Sequence, residues 1–205
     1  VGALDPLEPG QGLARLAAED IDASFIDSRA CRLLNEGYAT RVTRNRPFVT
    51  LKLTLSADDK VGHNAGGPAT MLGPEALRFV ERERAAADAV LSGAARAEIE
   101  ANDLRVHLPG LEHRPALRVV LAGTRDLNLH QGDSGGRREA PILVVTAPER
   151  PLQPIEGVEI VAIESRNGRP ELRLVLALLA ERGIDRLFVE AGARALALTL
   201  GRSIE

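Results

Sequence analysis

Cysteine occurs once in the 205 residues, at Cys31, lysine only at Lys52 and Lys60, and tryptophan nowhere. One cysteine makes no internal disulfide and cannot supply a cysteine-rich zinc site. The five aromatic residues, four Phe and one Tyr, provide no platform on which single-stranded nucleic acid could stack. A formal charge of −3 at pH 7 gives no basic footprint for a phosphate backbone. The longest apolar stretch, residues 174–180, is far too short to cross a bilayer. No basic-then-apolar segment opens the chain. The expectation is a cytoplasmic protein that uses neither nucleic acid nor membrane as a partner. With 44% hydrophobic residues, the chain has enough apolar side chain for an ordinary core.

Residues 1–45 read as turn, helix, extended piece, helix. Asp5-Pro6 and Pro9-Gly10-Gln11-Gly12 are turn chemistry, and Leu13, Leu16 and Ala17 form an i, i+3, i+4 stripe. Asp27-Ser28 caps a second helix bearing Ala30, Cys31, Leu33 and Leu34; there Cys31 reads as a small buried hydrophobe. The period then changes. Val49, Leu51, Leu53 and Leu55 alternate with Thr50, Lys52 and Thr54, which predicts a strand with Lys52 on the face opposite the four apolar residues. Gly73-Pro74-Glu75 starts a helix running to about residue 87. Short β-type runs follow at residues 89–91, 117–121, 142–146 and 158–163, then a helix over 172–179, a strand over 186–190 and a final helix. Strands alternating with helices argue for an α/β fold built on a largely parallel sheet. Loops concentrate at residues 62–68 and 128–141.

Several residues invite a chemical reading. Gly132-Asp133-Ser134-Gly135-Gly136 spells a serine-protease nucleophile loop, but all four histidines, His63, His107, His113 and His130, lie upstream and no histidine–aspartate pair can be assigned to Ser134. A flexible surface loop is the better account. The histidines lack the helical i, i+4 spacing and the cysteine partners that zinc would use, so no metal is expected. Lys52 in mid-strand faces either solvent or a partner and cleft, since a lysine on a covered sheet must be paired. Arg84 either favours its helix C-terminus or grips a phosphate as a fork. Glu190-Ala191-Gly192-Ala193 joins a strand to a helix, where a glycine lets phosphate approach the first N–H groups or simply serves the turn.

Taken together these segments resemble the bifunctional riboflavin-biosynthesis deaminase/reductase family. Arg46-Pro47-Phe48-Val49-Thr50-Leu51-Lys52-Leu53 followed by Ser56-Ala57-Asp58 is similar to that family's reductase opening. Gly73-Pro74-Glu75-Ala76, Asp88-Ala89-Val90-Leu91-Ser92-Gly93, Leu117-Arg118-Val119-Val120-Leu121 and Val189-Glu190-Ala191-Gly192 continue the match in order. Asp5-Pro6, Gly10-Gln11-Gly12-Leu13 and Leu34-Asn35-Glu36-Gly37-Tyr38 resemble the tail of the family's deaminase domain. The His-x-Glu and Pro-Cys-x-x-Cys that hold its zinc do not occur. The resemblance implies residues 1–45 as a deaminase-like tail without a zinc site, and 46–205 as a reductase domain that is C-terminally incomplete.

The implied fold is dihydrofolate-reductase-like, a mostly parallel sheet with flanking helices, lacking its last strands. The implied activity is hydride transfer from NADPH to the ribose C1 of 5-amino-6-(5-phosphoribosylamino)uracil, giving the ribitylamino product, with a homodimer as the assembly. The implied catalytic residues are Lys52 and Glu190. Arg84, Leu104 and His107 fall on the substrate, Arg84 toward its phosphate, and Leu55, Arg96, Glu100, Gly192 and Ala193 on the cofactor. The chain departs from the family pattern at three of these. Arg96 replaces a small hydroxyl, Glu100 stands for an aspartate one methylene shorter, and His107 replaces an arginine. Asp59 also stands where a strand-end glycine is usual, and residues 68–72 lack the family's serine and tryptophan. The alternative reading is a diverged relative without pathway activity, at most nucleotide-binding. A third class, a noncatalytic assembly subunit, would show as a dimer without a ligand cleft.

Overall fold

A computed structural model of the chain describes residues 1–55, 57, 72–94, 97, 106, 108–111, 116–122, 127 and 140–190. In chain order the described elements are α1 (Gln11–Ala18), α2 (Arg29–Leu34), α3 (Glu36–Arg44), β1 (Phe48–Lys52), α4 (Pro74–Ala86), β2 (Ala89–Gly93), β3 (Leu117–Leu121), β4 (Ile142–Thr146), β5 (Val158–Ala162), the two-residue strands β6 (Ser165–Arg166) and β7 (Arg169–Pro170), α5 (Leu172–Glu181) and β8 (Arg186–Glu190). The contacts divide them into two units. One holds residues Val1–Phe48 with Leu176–Arg186, the other Val49–Val175 with Leu187–Glu205.

Six strands form one sheet in the order β1-β8-β2-β3-β4-β5. The pairs β8·β2, β2·β3, β3·β4 and β4·β5 are all parallel, so the α/β expectation holds. Composition explains it: Ile142 to Thr146 are buried at every position and Ala89 to Ser92 likewise, the near-continuous apolar run of strands covered on both faces. Register sets which side chains share a face. Ser92 lies beside Glu190 in β8 and beside Val120 in β3, and Val120 beside Val144 in β4. One residue pair lower, Val90 lies beside Phe188. On this face Val80 of α4 clusters with Val90 and Phe188, while Val120, Ile142 and Val144 cluster with Ala94, Ala97 and Ala122.

Helix starts follow local chemistry. Pro74 sits in the first turn of α4, with Glu75 at the positive end of the dipole and Arg84 in the last turn. The Ser28 side chain caps α2 by accepting from the Cys31 N–H. The reading of residues 1–45 missed α3, which follows α2 after the single residue Asn35. In the first unit, α2 and α3 are both tied to residues 185 and 186. Arg41 pairs with Asp185, and Arg186 Nη2 donates to the carbonyls of Leu33 and Leu34 at 3.0 and 3.2 Å. A Cβ on Gly37 would lie 2.9 Å from Arg186 Cγ and 3.1 Å from the Asp185 carbonyl oxygen.

Three local expectations change. β1 ends at Lys52, and Leu53 and Leu55 are exposed, so the alternation of Val49 to Leu55 overshoots the strand. Cys31 is half-buried, and α2 has no fully buried residue. The β6–β7 hairpin was not anticipated, although its turn, Asn167-Gly168, has positive φ at both residues, the type I′ signature that Asn-Gly favours. The loop readings at residues 62–68 and 128–139, the final helix after residue 190, Asp59, Ser134 and all four histidines lie outside the described residues.

Candidate functional site

The second unit brings three of the expected site residues together. Glu190 is the last residue of β8 and wholly buried. Its parity with Phe188 puts its side chain on the face that α4 covers. From α4, Val80 and Arg84 are one turn apart and both buried, so the helix stripe that packs Val80 also carries the guanidinium inward. Arg84 grips Glu190 as a fork: Nε donates to Oε1, and Nη2 donates to Oε2 at 2.9 Å. From the end of β1, Lys52 Nζ lies 4.0 Å from Glu190 Oε2, with 19% of its side chain exposed. The sequence left Lys52 between solvent and a partner, and the partner is Glu190.

The energetics explain why these residues keep company. A buried carboxylate is costly unless paired and hydrogen-bonded. The guanidinium fork matches both carboxylate oxygens at once, and the lysine adds a second positive charge on the partly open side. The cluster is therefore a fixed acceptor flanked by two cations, one enclosed and one reachable from solvent.

Sequence reasoning did not single out Ser92. It stands directly beside Glu190 across the β2·β8 pair and is 1% exposed. Among the described residues its Oγ has no hydrogen-bond partner. The carboxylate beside it is engaged by Arg84, and its other neighbour, Val120, is apolar. A lone serine in an apolar strand carries no sequence signal, and its position next to Glu190 is visible only once β8 inserts between β1 and β2.

Of the residues placed on a cofactor by resemblance, Leu55 alone is described. It is 45% exposed, three residues past Lys52. Arg96, Glu100, Leu104, His107, Gly192 and Ala193 lie outside the described residues. Among the described residues no group of three or more His, Cys, Asp or Glu could hold a metal, and no helix is long and apolar enough to cross a membrane.

A family model, the RibD C-terminal domain, matches residues 47–201, which include Lys52, Arg84, Ser92 and Glu190. The riboflavin biosynthesis protein RibD of Aquifex aeolicus is 29% identical over 203 residues, covering 96% of this chain and 55% of that protein. Its counterpart in Chlamydia trachomatis serovar D is 28% identical over 202 residues, covering 95% and 54%. Among solved structures, a diaminohydroxyphosphoribosylaminopyrimidine deaminase/5-amino-6-(5-phosphoribosylamino)uracil reductase from Thermotoga maritima superposes with a TM-score of 0.79 at 25% identity, covering 98% of this chain and 55% of that one. Acinetobacter baumannii RibD shares the fold at a TM-score of 0.76 and 23% identity, covering 96% and 54%. The chain spans about half the length of the relatives it matches.

Proposed function

Because the chain belongs to the RibD C-terminal domain family, we propose that it reduces 5-amino-6-(5-phosphoribosylamino)uracil to its ribitylamino product, with NADPH as the reductant. The observation that carries the reading is the convergence of Lys52, Arg84 and Glu190 at the ends of β1 and β8 and on α4, inside the matched segment.

A reduced nicotinamide, when bound, supplies the hydride. The chain's share is placement and proton supply. As C1 of the ribose takes the hydride, its bond to the ring oxygen breaks and that oxygen needs a proton. Lys52 holds one at Nζ and is the partly exposed cation of the cluster. Glu190, wholly buried, keeps that ammonium aimed by charge and offers a carboxylate oxygen to a substrate hydroxyl. Burial of Glu190, Ser92 and Val90 keeps bulk water from the inner wall of the site. Leu55 and Gly192 are assigned to the cofactor, the glycine because the sequence predicts a helix start there, and a helix start without a Cβ would let a pyrophosphate reach its N–H groups. Leu104 is assigned to the substrate, Arg96, Glu100 and Ala193 to the cofactor side, and His107 to the substrate phosphate. Residues 1–45 are assigned as the tail of a deaminase-like domain, and the working assembly as a homodimer.

Fluorescence titration of NADPH together with steady-state turnover checks the assignment. Gly192→Val is expected to abolish NADPH binding. Lys52→Ala is expected to bind NADPH like wild type but lose about 2 kcal/mol of transition-state binding, roughly thirtyfold in kcat/KM. Undiminished binding by Gly192→Val overturns the cofactor placement. Wild-type protein that neither binds NADPH nor turns over removes the reductase reading.

A further inference from the structure

Ser92 carries a hydroxyl at a strand position where the fold makes no use of one. It is 1% exposed, and among the described residues its Oγ meets no hydrogen-bond partner. Along β2 its neighbours are Leu91 and Gly93, and in β3 it lies beside Val120. An alanine would fill such a position without burying an unbonded polar group. On the other side stands Glu190, its register partner in β8. Adjacent strands lie about 4.8 Å apart, and register partners direct their side chains to the same face. Here it is the face where Val80 of α4 packs on Val90 and Phe188. The serine hydroxyl turns about its C–O bond, and the side chain is short enough to change rotamer inside a packed wall. An unused donor thus sits one strand away from a wholly buried carboxylate that accepts from Arg84, with Lys52 Nζ 4.0 Å from its Oε2.

The chemistry of a ligand gives that donor a use. Phosphate, carbonyl and hydroxyl oxygens on an entering molecule compete with Glu190 for the N–H groups of the two cations. A buried carboxylate that loses a share of its donors is destabilised unless another donor replaces them. We propose that Ser92 is a positioning residue of the site: its hydroxyl is a reserve donor that closes onto the Glu190 carboxylate when a ligand draws on the cations, and so holds that acceptor in place in the bound state. The inference rests on the substrate reading made above for the identity of the ligand. The exchange of donors belongs to the cluster itself and operates whenever the guanidinium fork is taken from the carboxylate.

Two measurements test it. In the ligand-free protein, urea midpoints are compared for wild type, Ser92→Ala, Arg84→Lys and the Arg84→Lys/Ser92→Ala double variant. Ser92→Ala is expected to hold or raise the midpoint in the wild-type background. In the Arg84→Lys background it is expected to lower it, because a point charge there replaces the planar fork and the hydroxyl takes over part of its hydrogen bonding. The same shift in both backgrounds overturns the proposal. The second measurement needs no change at Arg84 and carries the test if Arg84→Lys does not fold. Calorimetric binding of 5-amino-6-(5-phosphoribosylamino)uracil is compared in wild type, Ser92→Ala, Ser92→Thr and Ser92→Val. Ser92→Ala is expected to bind about tenfold more weakly than wild type, although its unliganded midpoint is no lower. Ser92→Thr is expected to bind about threefold or more tightly than Ser92→Val, which has nearly the same shape and lacks the hydroxyl, a difference that packing alone does not make. Binding by Ser92→Thr no tighter than by Ser92→Val overturns the proposal. Wild-type protein that fails to bind the compound removes the functional reading, and the bound-state role of Ser92 with it. Wild-type affinity retained in Ser92→Ala removes the inference alone.

Discussion

A hydroxyl buried beside a carboxylate ordinarily finds a hydrogen bond, and the Ser92 Oγ has none among the described residues, while Arg84 donates to both oxygens of the carboxylate beside it. The unfolded chain satisfies this group with water, so folding forfeits a bond there and recovers nothing. Ser92→Ala is therefore expected to leave stability unchanged or raise it by about 1 kcal/mol, read as the urea midpoint; a loss above that range would mean the hydroxyl is bonded. Tyr38 offers a second test, made clean by its being the chain's only tyrosine in a protein without tryptophan. Half-burial raises its pKa above the ordinary tyrosine value, and the Asp5 carboxylate adds to this by charge and by accepting the phenol's hydrogen bond. A raised folded pKa gives stability that is fully present below the unfolded value and is lost as pH rises through the folded one. Asp5→Asn should move tyrosinate absorbance to lower pH. A titration curve that does not move removes the contact. At this scale the sequence marked Lys52 as needing a partner, but it offered no local sign that the partner lay 138 positions later at Glu190.

Elements were legible where one period ran long enough to be counted. The Pro74 helix, the apolar runs of β2, β3 and β4 and the helix after residue 172 all appear where the sequence placed them, because each combines a boundary signal with a continuous or 3.6-period apolar pattern. β1 was overextended because Leu53 and Leu55 continue a two-residue period that pairing does not. α3 was missed because its buried positions are Gly37 and Thr40 rather than large apolar residues. Gly37 shows what that cost. Gly37 is the second residue of α3, where glycine to alanine gains at most the interior value of about 1 kcal/mol from propensity. Here the new methyl would meet Arg186 Cγ and the Asp185 carbonyl, and that carbonyl also accepts the Phe48 N–H, so it is held in place. Gly37→Ala is expected to lower the melting temperature by several degrees, the equivalent of about 1 kcal/mol or more. A rise would show that the segment at Asp185 gives way and that propensity wins.

For the molecule as a whole, strand order determines what local pattern could not reveal. The sequence supported a parallel α/β sheet without indicating that β8, the last described strand, lies between the first two. That insertion places Glu190 between Lys52 and Ser92 and in reach of Arg84, so the candidate site exists only when residues from both ends of the matched segment are in register. Its rigidity should then follow the sheet. β8 is flanked on both sides, whereas β5 ends the described strand order and has no fully buried residue. Amides whose exchange needs interior strands to separate open only at a free energy close to global unfolding, while edge strands fray at less. Native-state hydrogen exchange should therefore give Phe188, Val189 and Glu190 protection comparable to β2 and β3, with β5 exchanging earlier. The same ordering should persist in Lys52→Ala, which removes a cation 4.0 Å away but no backbone pairing. In Arg84→Met it should weaken first at the end of β8, because the buried carboxylate there loses its fork. If the end of β8 exchanges as fast as β5 in the wild type, Glu190 is not held by the sheet, and its orientation must come from the side-chain fork alone.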